Sequence, residues 1–367
     1  ADEYIDSDGD GLPNYFEDKS KTGLPNNDDD QDGYTNKDEY ELYSSDPNAV
    51  YKTYYVASNG SKAYDGLSWT KPKRYISEAV SDAVDGDKII LAAMNHNDKA
   101  VYLNGKAICL QSSSPNDPAI IESTIISYGV ILRYGEGRGT KILGININKS
   151  LSGTGEPANA VYCVDSQPTI EKCIVKNTML VDYGKGVYCR LASPMIIDCN
   201  ISNISGGNGA GFYCRESQPY LIGCNISNNS GDNGAGIFGE MKSSLFVEDC
   251  VLSRNLASST GGAIYCMDSN LAIFNSEISY NSANGSTENV KPAGIYFDGR
   301  KINVGSCDFY KNSGTGLFIY HLRAYNPIIE NCNFGYSSQS VAVKILPYSF
   351  EINDINIAGC FFYGNRA

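Results

Sequence analysis

The 367-residue chain carries a formal charge of −13, with 27 tyrosines, 37 glycines and two histidines. The acidity is local: residues 1–50 hold fifteen Asp and Glu against three Lys, while the remainder sets 27 acids against 26 bases. With no broad basic face to neutralise phosphates and no apolar run of about 18 residues, the composition excludes nucleic-acid binding and a membrane-spanning helix.

The first fifty residues contain two twelve-residue loops of one design. In the first, Asp6, Asp8, Asp10, Asn14 and Glu17 stand at positions 1, 3, 5, 9 and 12, with Gly11 at 6 and the Leu12 carbonyl at 7. In the second, Asp28, Asp30, Asp32, Asn36 and Glu39 take the same positions, with Gly33 and the Tyr34 carbonyl between them. Calcium takes six to eight oxygens, and this spacing wraps them round one ion, so the pair predicts about two calcium ions. The paired loops, with Ser45-Asp46-Pro47 closing them, resemble the calcium repeats of thrombospondin type 3 and related bacterial surface modules. Dockerins carry paired loops of this sort as well. Either resemblance implies a calcium ion that folds residues 1–50 and takes no part in catalysis. The opening ADEYIDSDGDG suits a mature secreted or cell-surface protein.

Residues 51–100 read as an entrance segment. Ile76, Ala79, Val80, Ala83 and Val84 are spaced for one helical face within Arg74 to Val84, predicting a helix that caps the first repeat unit. Asp85-Gly86-Asp87 then turns into the buried-strand run Lys88 to Met94.

Residues 101–367 repeat. GVYCRLASPMIIDCNIS (Gly186 to Ser202) returns as GFYCRESQPYLIGCNIS (Gly211 to Ser227), and looser versions open at Val161, Ile237, Ile264, Ile295, Leu317 and Val341. A period near 25 residues marks a solenoid, whose units bury their apolar sides only by stacking. Within each unit the apolar residues alternate: Val187 and Cys189, then Ile196, then Cys199 and Ile201, with counterparts in the neighbouring units. Alternation in runs too short for helices means strands. The expected fold is therefore all-β, a parallel β-helix solenoid. Eleven of the twelve cysteines fall on inward positions, which predicts buried thiols acting as small hydrophobes. Asn229, Asn255, Asn281, Asn312 and Asn365 recur at one turn, where asparagine tolerates a left-handed backbone and stacked amides bond from rung to rung.

YYVASNG (Tyr54 to Gly60), the DGDKIILAA run and NGKAICLQSSSPNDPAIIES (Asn104 to Ser123) resemble the secreted bacterial right-handed parallel β-helix repeat proteins. Gly261-Gly262-Ala263-Ile264, with Asn255 before it, resembles the GGAI and FxxN motifs of polymorphic outer-membrane protein repeats; most other rungs depart from that pattern. The resemblance implies a right-handed, extracellular scaffold.

Chemistry has to sit on outward positions. Tyr162, Tyr188, Tyr213, Phe238, Tyr265, Tyr296 and Phe318 make a column of one aromatic per rung, and beside it run Arg190, Arg215, Glu240 and Asp298, with the two arginines adjacent and able to grip a carboxylate. The column reads either as cross-strand stacking or as a platform for sugar rings or a partner protein. The last rung has no lid of its own, so either more rungs come after it or a second copy covers it, which motivates head-to-tail self-association. The expectation is an extracellular structural or adhesive surface protein with no assigned catalytic residue. The alternative is a glycan-binding β-helix, or a polysaccharide lyase or hydrolase acting on acidic glycans. Its candidate acids are Asp182, Glu240, Glu248, Asp249 and Asp298, and its candidate bases Lys185, Arg190, Arg215 and Lys242. His96 and His321 are isolated, and Glu171 and Asp198 read as ordinary solvated strand positions.

Removing calcium with a chelator is expected to unfold residues 1–50 and leave the circular dichroism of the solenoid nearly unchanged, because carboxylates crowded without an ion repel one another. Equal loss of both signals would refute the two-module reading.

Overall fold

The computed structural model describes residues 51–364 apart from 98, 151–156, 178–183, 288–290, 323–326, 336–341 and 348–354. The paired acidic loops, with all their calcium ligands, lie outside the described residues, as do Asp182 and Asn365.

Among the described residues the strands gather into three parallel sheets of 10, 12 and 11 strands, with a three-stranded strip at one corner. The first face holds Val161–Val164, Val187–Arg190, Phe212–Arg215, Ile237–Glu240 and Ile264–Met267. The second holds Thr169–Glu171, Met195–Ile197, Tyr220–Ile222, Ser244–Glu248, Asn270–Phe274 and Lys301–Gly305. The third begins its central run with Ile174–Asn177, Asn200–Ser202 and Asn225–Ser227. Each strand pairs with its equivalents one rung away, so Val187 lies beside Phe212, Ile196 beside Leu221 and Ile201 beside Ile226. These inward residues are fully buried in one continuous core. Every rung thus shields the apolar side of the next, as the alternation requires. The last opening is displaced: Leu317 pairs with Val343, two residues beyond Val341.

Short strands become rungs because single residues turn the corners. Between the second and third faces, Lys172, Asp198, Asp249, Asn275, Ser306 and Asn331 have φ of 50 to 55°. Asp198 is therefore a left-handed corner residue, unlike the strand position expected for it. Glu171 is a strand residue, paired with Lys141 at 2.9 Å. After the third face the left-handed residues are Asn203, Asn228, Arg254, Tyr280 and Lys311. The recurring asparagines come directly after these residues, so the turn conformation expected at Asn229, Asn255, Asn281 and Asn312 belongs to the residue before each.

Those four asparagines are buried and form the rung-to-rung amide ladder expected of them. The Asn229 side-chain amide donates to Asn255 Oδ1 at 3.1 Å, Asn255 to Asn281 and Asn281 to Asn312, each also at 3.1 Å. Each rung's backbone N–H shares the same acceptor, and each Nδ2 also reaches a carbonyl of the preceding rung, such as Ile226 O at 2.9 Å from Asn255.

The cysteines form a second ladder. The described thiols are free, and all but the half-buried Cys360 are buried, Cys109 included. They are more than small hydrophobes. Cys199 Sγ donates to Ile170 O at 3.4 Å, and Cys224 and Cys250 repeat the bond to Ile196 O and Leu221 O. The N–H of Cys224 in turn donates to Cys250 Sγ, and that of Cys250 to Ser276 Oγ. Serine can replace cysteine in that rung because the position asks for a small group that both donates and accepts. Burial holds the Cys199 and Cys266 thiols well above the ordinary range, so they stay protonated.

A helix spans Ile76–Asp82 with Ile76, Ala79 and Val80 buried. It is shorter than the apolar spacing predicts: Ala83 is already extended, and Val84 is 62% exposed. Gly86 has φ of +89° and packs so close to Tyr51 that a side chain there would clash, which places the turn immediately after the helix.

Replacing Asn255 with Ala leaves the Asn229 N–H and the Ile226 carbonyl without their side-chain partners in a dry interior. A loss of about 2–4 kcal/mol in denaturant unfolding is expected. The exposed Asn225→Ala is expected to stay within about 0.5 kcal/mol of the parent. Equal effects from the two would show that the amide ladder is not what holds the rungs.

Candidate functional site

The predicted aromatic column is real in register: Tyr162 pairs with Tyr188, Tyr188 with Tyr213, and Tyr213 with Phe238. Successive rings from Tyr162 to Tyr296 lie 4.6 to 5.5 Å apart and within 7° of parallel. Phe318 continues the column at a tilt of 39°. Ring faces in this run are thus occupied by the neighbouring rings, and only edges are presented outward. A stack of this kind contributes about 0.5–1.5 kcal/mol per pair beyond area burial. Phe238 and Tyr296 are 2% and 6% exposed, so the column is not an open stripe at those rungs. The backbone at Gly209, φ +62°, runs so near that a Cβ there would sit 2.8 Å from that of Phe238. The edge that remains carries the hydroxyls of Tyr162, Tyr188, Tyr213 and Tyr265, all half-buried.

At the end of the same strands Arg190 and Arg215 stand side by side in register. Arg190 is exposed and makes no hydrogen bond or ion pair with described residues. Arg215 Nε is shielded and has no hydrogen-bond partner; its nearest carboxylate is Glu216, at 3.9 Å. Glu240, one rung on, is taken by the Tyr213 hydroxyl, which donates to it. Burial first, and then this bond, push Tyr213 well above the usual phenol range. Burial also raises Tyr188, while Arg190 and Arg215 pull it back, which places both guanidinium charges near that hydroxyl. The result is a ledge of two cations and phenolic donors suited to a planar, bidentate anion such as a carboxylate.

The remaining candidate acids and bases do not converge. Lys185 is buried before the start of the strand that ends in Arg190, roughly 16 Å away along an extended chain. Burial lowers its pKa to about 8, and Asp232 works against that shift. Lys242 is an exposed corner residue with φ of 65°. Glu248 faces outward on the second face, and Asp249 is a left-handed corner. Glu240 and Asp298 share the first face two strands apart, near 10 Å at the usual strand spacing. Met267 occupies the outward position between them and is 37% exposed, where a sugar between two catalytic carboxyls would have to pass. His96 is buried with its ring on the Ala92 carbonyl at 3.0 Å; the side chain of His321 lies outside the described residues.

The outside of the second face holds residues that the repeat pattern did not single out. Tyr220 and Phe246 point outward there with ring centroids 5.6 Å apart and tilted 45°, and Tyr220 is 41% exposed. Their rung neighbour in the next strand is Ala272, and Asn303 lies beyond it. The signal was present in the same alternation, since Tyr220, Phe246 and Ala272 each precede an inward Leu221, Val247 or Ile273.

Among solved structures, pectate lyase Pel9A is similar at 11% identity over 82% of this chain and 72% of its own, with a TM-score of 0.39. A rhamnogalacturonan lyase is similar at 12% identity over 83% of this chain and 89% of its own, with a TM-score of 0.38. The GH136 lacto-N-biosidase from Eubacterium ramulus is similar at 12% identity over 86% and 68%, with a TM-score of 0.39. At these values the likeness is one of fold only. Comparison with curated proteins returns no match. No described helix is long and apolar enough to cross a membrane. The family model described as a right handed beta helix region matches residues 159–334, so this part of the chain is a right-handed β-helix repeat region.

Proposed function

We propose that the protein is an extracellular β-helix that binds an acidic polysaccharide, without cleaving it, through the ledge formed by Arg190, Arg215 and the tyrosine edge. The observation that carries this reading is the pair of adjacent guanidinium groups, one rung apart, with no carboxylate in hydrogen-bonding reach among the described residues. Like charges placed side by side cost stability unless an anion joins them, and a uronate or sulfate offers that anion with the planar or tripod oxygens that arginine prefers. The rung spacing sets these two charges about 4.8 Å apart, so a polymer with anionic groups along it can engage both at once. Adhesion to a glycan-bearing surface would be the same chemistry. In this proposal the loops Asp6–Glu17 and Asp28–Glu39 hold about two calcium ions that fold an amino-terminal module, and the helix Ile76–Asp82 covers the first rung. Polymer size keeps the ligand outside the cell, in keeping with secretion.

Affinity electrophoresis through gels containing pectate, alginate or chondroitin sulfate, with neutral galactan as reference, tests the proposal. Retardation by at least one acidic polymer is expected, weakening as salt rises, and the paired variant Arg190→Ala/Arg215→Ala is expected to bind at least tenfold more weakly, about 1.4 kcal/mol. Equal retardation by galactan, or an unchanged double variant, would overturn it. Release of unsaturated products from any polymer would replace the binding reading with the lyase.

A further inference from the structure

The second face carries a depression of about 230 Å³ whose origin is a single small side chain. Along one outward column the residues run Tyr220, Phe246, Ala272, Asn303, each in register with the next. The methyl of Ala272 leaves a gap between the Phe246 ring and the Asn303 amide. A parallel outward column adds Ser244, Asn270 and Lys301 along one side. On the opposite side the Phe274 ring packs beside Phe246, with centroids 6.1 Å apart, and over Gly305, where a Cβ would meet it at 2.8 Å.

Two features mark this gap as a place for a polar ring. First, a polar atom at its edge lacks a partner: Asn303 Oδ1 is shielded with no hydrogen bond. A buried polar atom left unsatisfied costs about 1–3 kcal/mol, and a hydroxylic ligand relieves that cost after an amide turn. Second, Asn270 donates to Ser244 Oγ at 3.0 Å, which fixes its amide with the oxygen still available as an acceptor. Aromatic carbon on one side and the amides of Asn270, which is fixed, and Asn303, which can turn, on the other match the apolar face and hydroxyl rim of a pyranose. Lys301, which makes no ion pair with described residues, adds a positive charge at the rim.

We infer that this depression is a second glycan site, which seats one pyranose ring bearing a carboxylate against Phe246, with Asn270 and Asn303 on its hydroxyls and Lys301 on its carboxylate. It lies across one corner from the arginine ledge, since only Glu216–Pro219 separate Arg215 from Tyr220. It stands on its own residues and does not require the ledge to bind.

Saturation-transfer NMR on the full chain, with methyl β-glucuronide and methyl β-glucoside as probes, tests it. Saturation of the ring protons is expected for the glucuronide, with a signal at least threefold above the glucoside. Ala272→Phe extends a column that already holds Tyr and Phe, so it keeps the fold by circular dichroism while filling the gap, and is expected to abolish the signal. Lys301→Gln is expected to bring the two probes level, and Arg190→Ala/Arg215→Ala to leave the methyl glucuronide signal in place. No saturation of either probe, or a signal that survives Ala272→Phe, would overturn the site. A signal lost only with the double arginine variant would assign the sugar to the ledge instead.

Discussion

Every feature of this protein depends on rung-to-rung register. Parallel strands stacked at about 4.8 Å put each residue type directly over its counterpart, and a slip by one residue would turn every apolar side chain outward. The backbone ladder alone does not choose the register. The Asn229–Asn312 amides, the thiols that bond rung to rung and the stacked tyrosines each do, because their partners exist at only one offset. Apolar burial then supplies most of the driving force, with one large cluster running through the described rungs.

Ladders also determine where recognition can occur. A residue that stacks perfectly on its copies spends its surface on them, which is why the tyrosine column offers edges and no ring faces. Binding capacity appears where a ladder is interrupted or cannot satisfy itself. Arg190 over Arg215 is a pair of like charges with no carboxylate in hydrogen-bonding reach among the described residues, and Ala272 is a missing tooth in an aromatic column. In the proposed reading the deviations from repetition carry the function, while the repetition carries the fold.

The architecture was legible because alternation is enforced by water: inward Val187, Cys189, Ile196 and Ile201 had no other way to be buried. Corners were read less well. Left-handed φ at Asp198, Arg254 or Tyr280 depends on where the chain must bend, and no side chain announces it. The Asn positions and their amide ladder were legible, but the left-handed turn was placed one residue late, since a turn residue and an inward ladder residue both recur once per rung. Exposure along the aromatic column was overestimated at Phe238, where the Gly209 backbone comes close, and at Tyr296, which packs against Phe318 and Tyr320. The Ala272 gap went unseen because a small residue carries no chemical signature until its neighbours are known. The length of the helix at Ile76–Asp82 failed for a similar reason: Val84 fits the helical spacing, yet Asp85-Gly86-Asp87 ends the helix before it.

The most direct measurement is a crystal structure of the protein grown with an acidic oligosaccharide. A carboxylate bridging Arg190 and Arg215 and a sugar ring over Ala272 are expected, with the tyrosine column still stacked and its ring faces closed. Sugar rings inserted between or lying flat on the tyrosines, with both the ledge and the gap empty, would contradict this assignment.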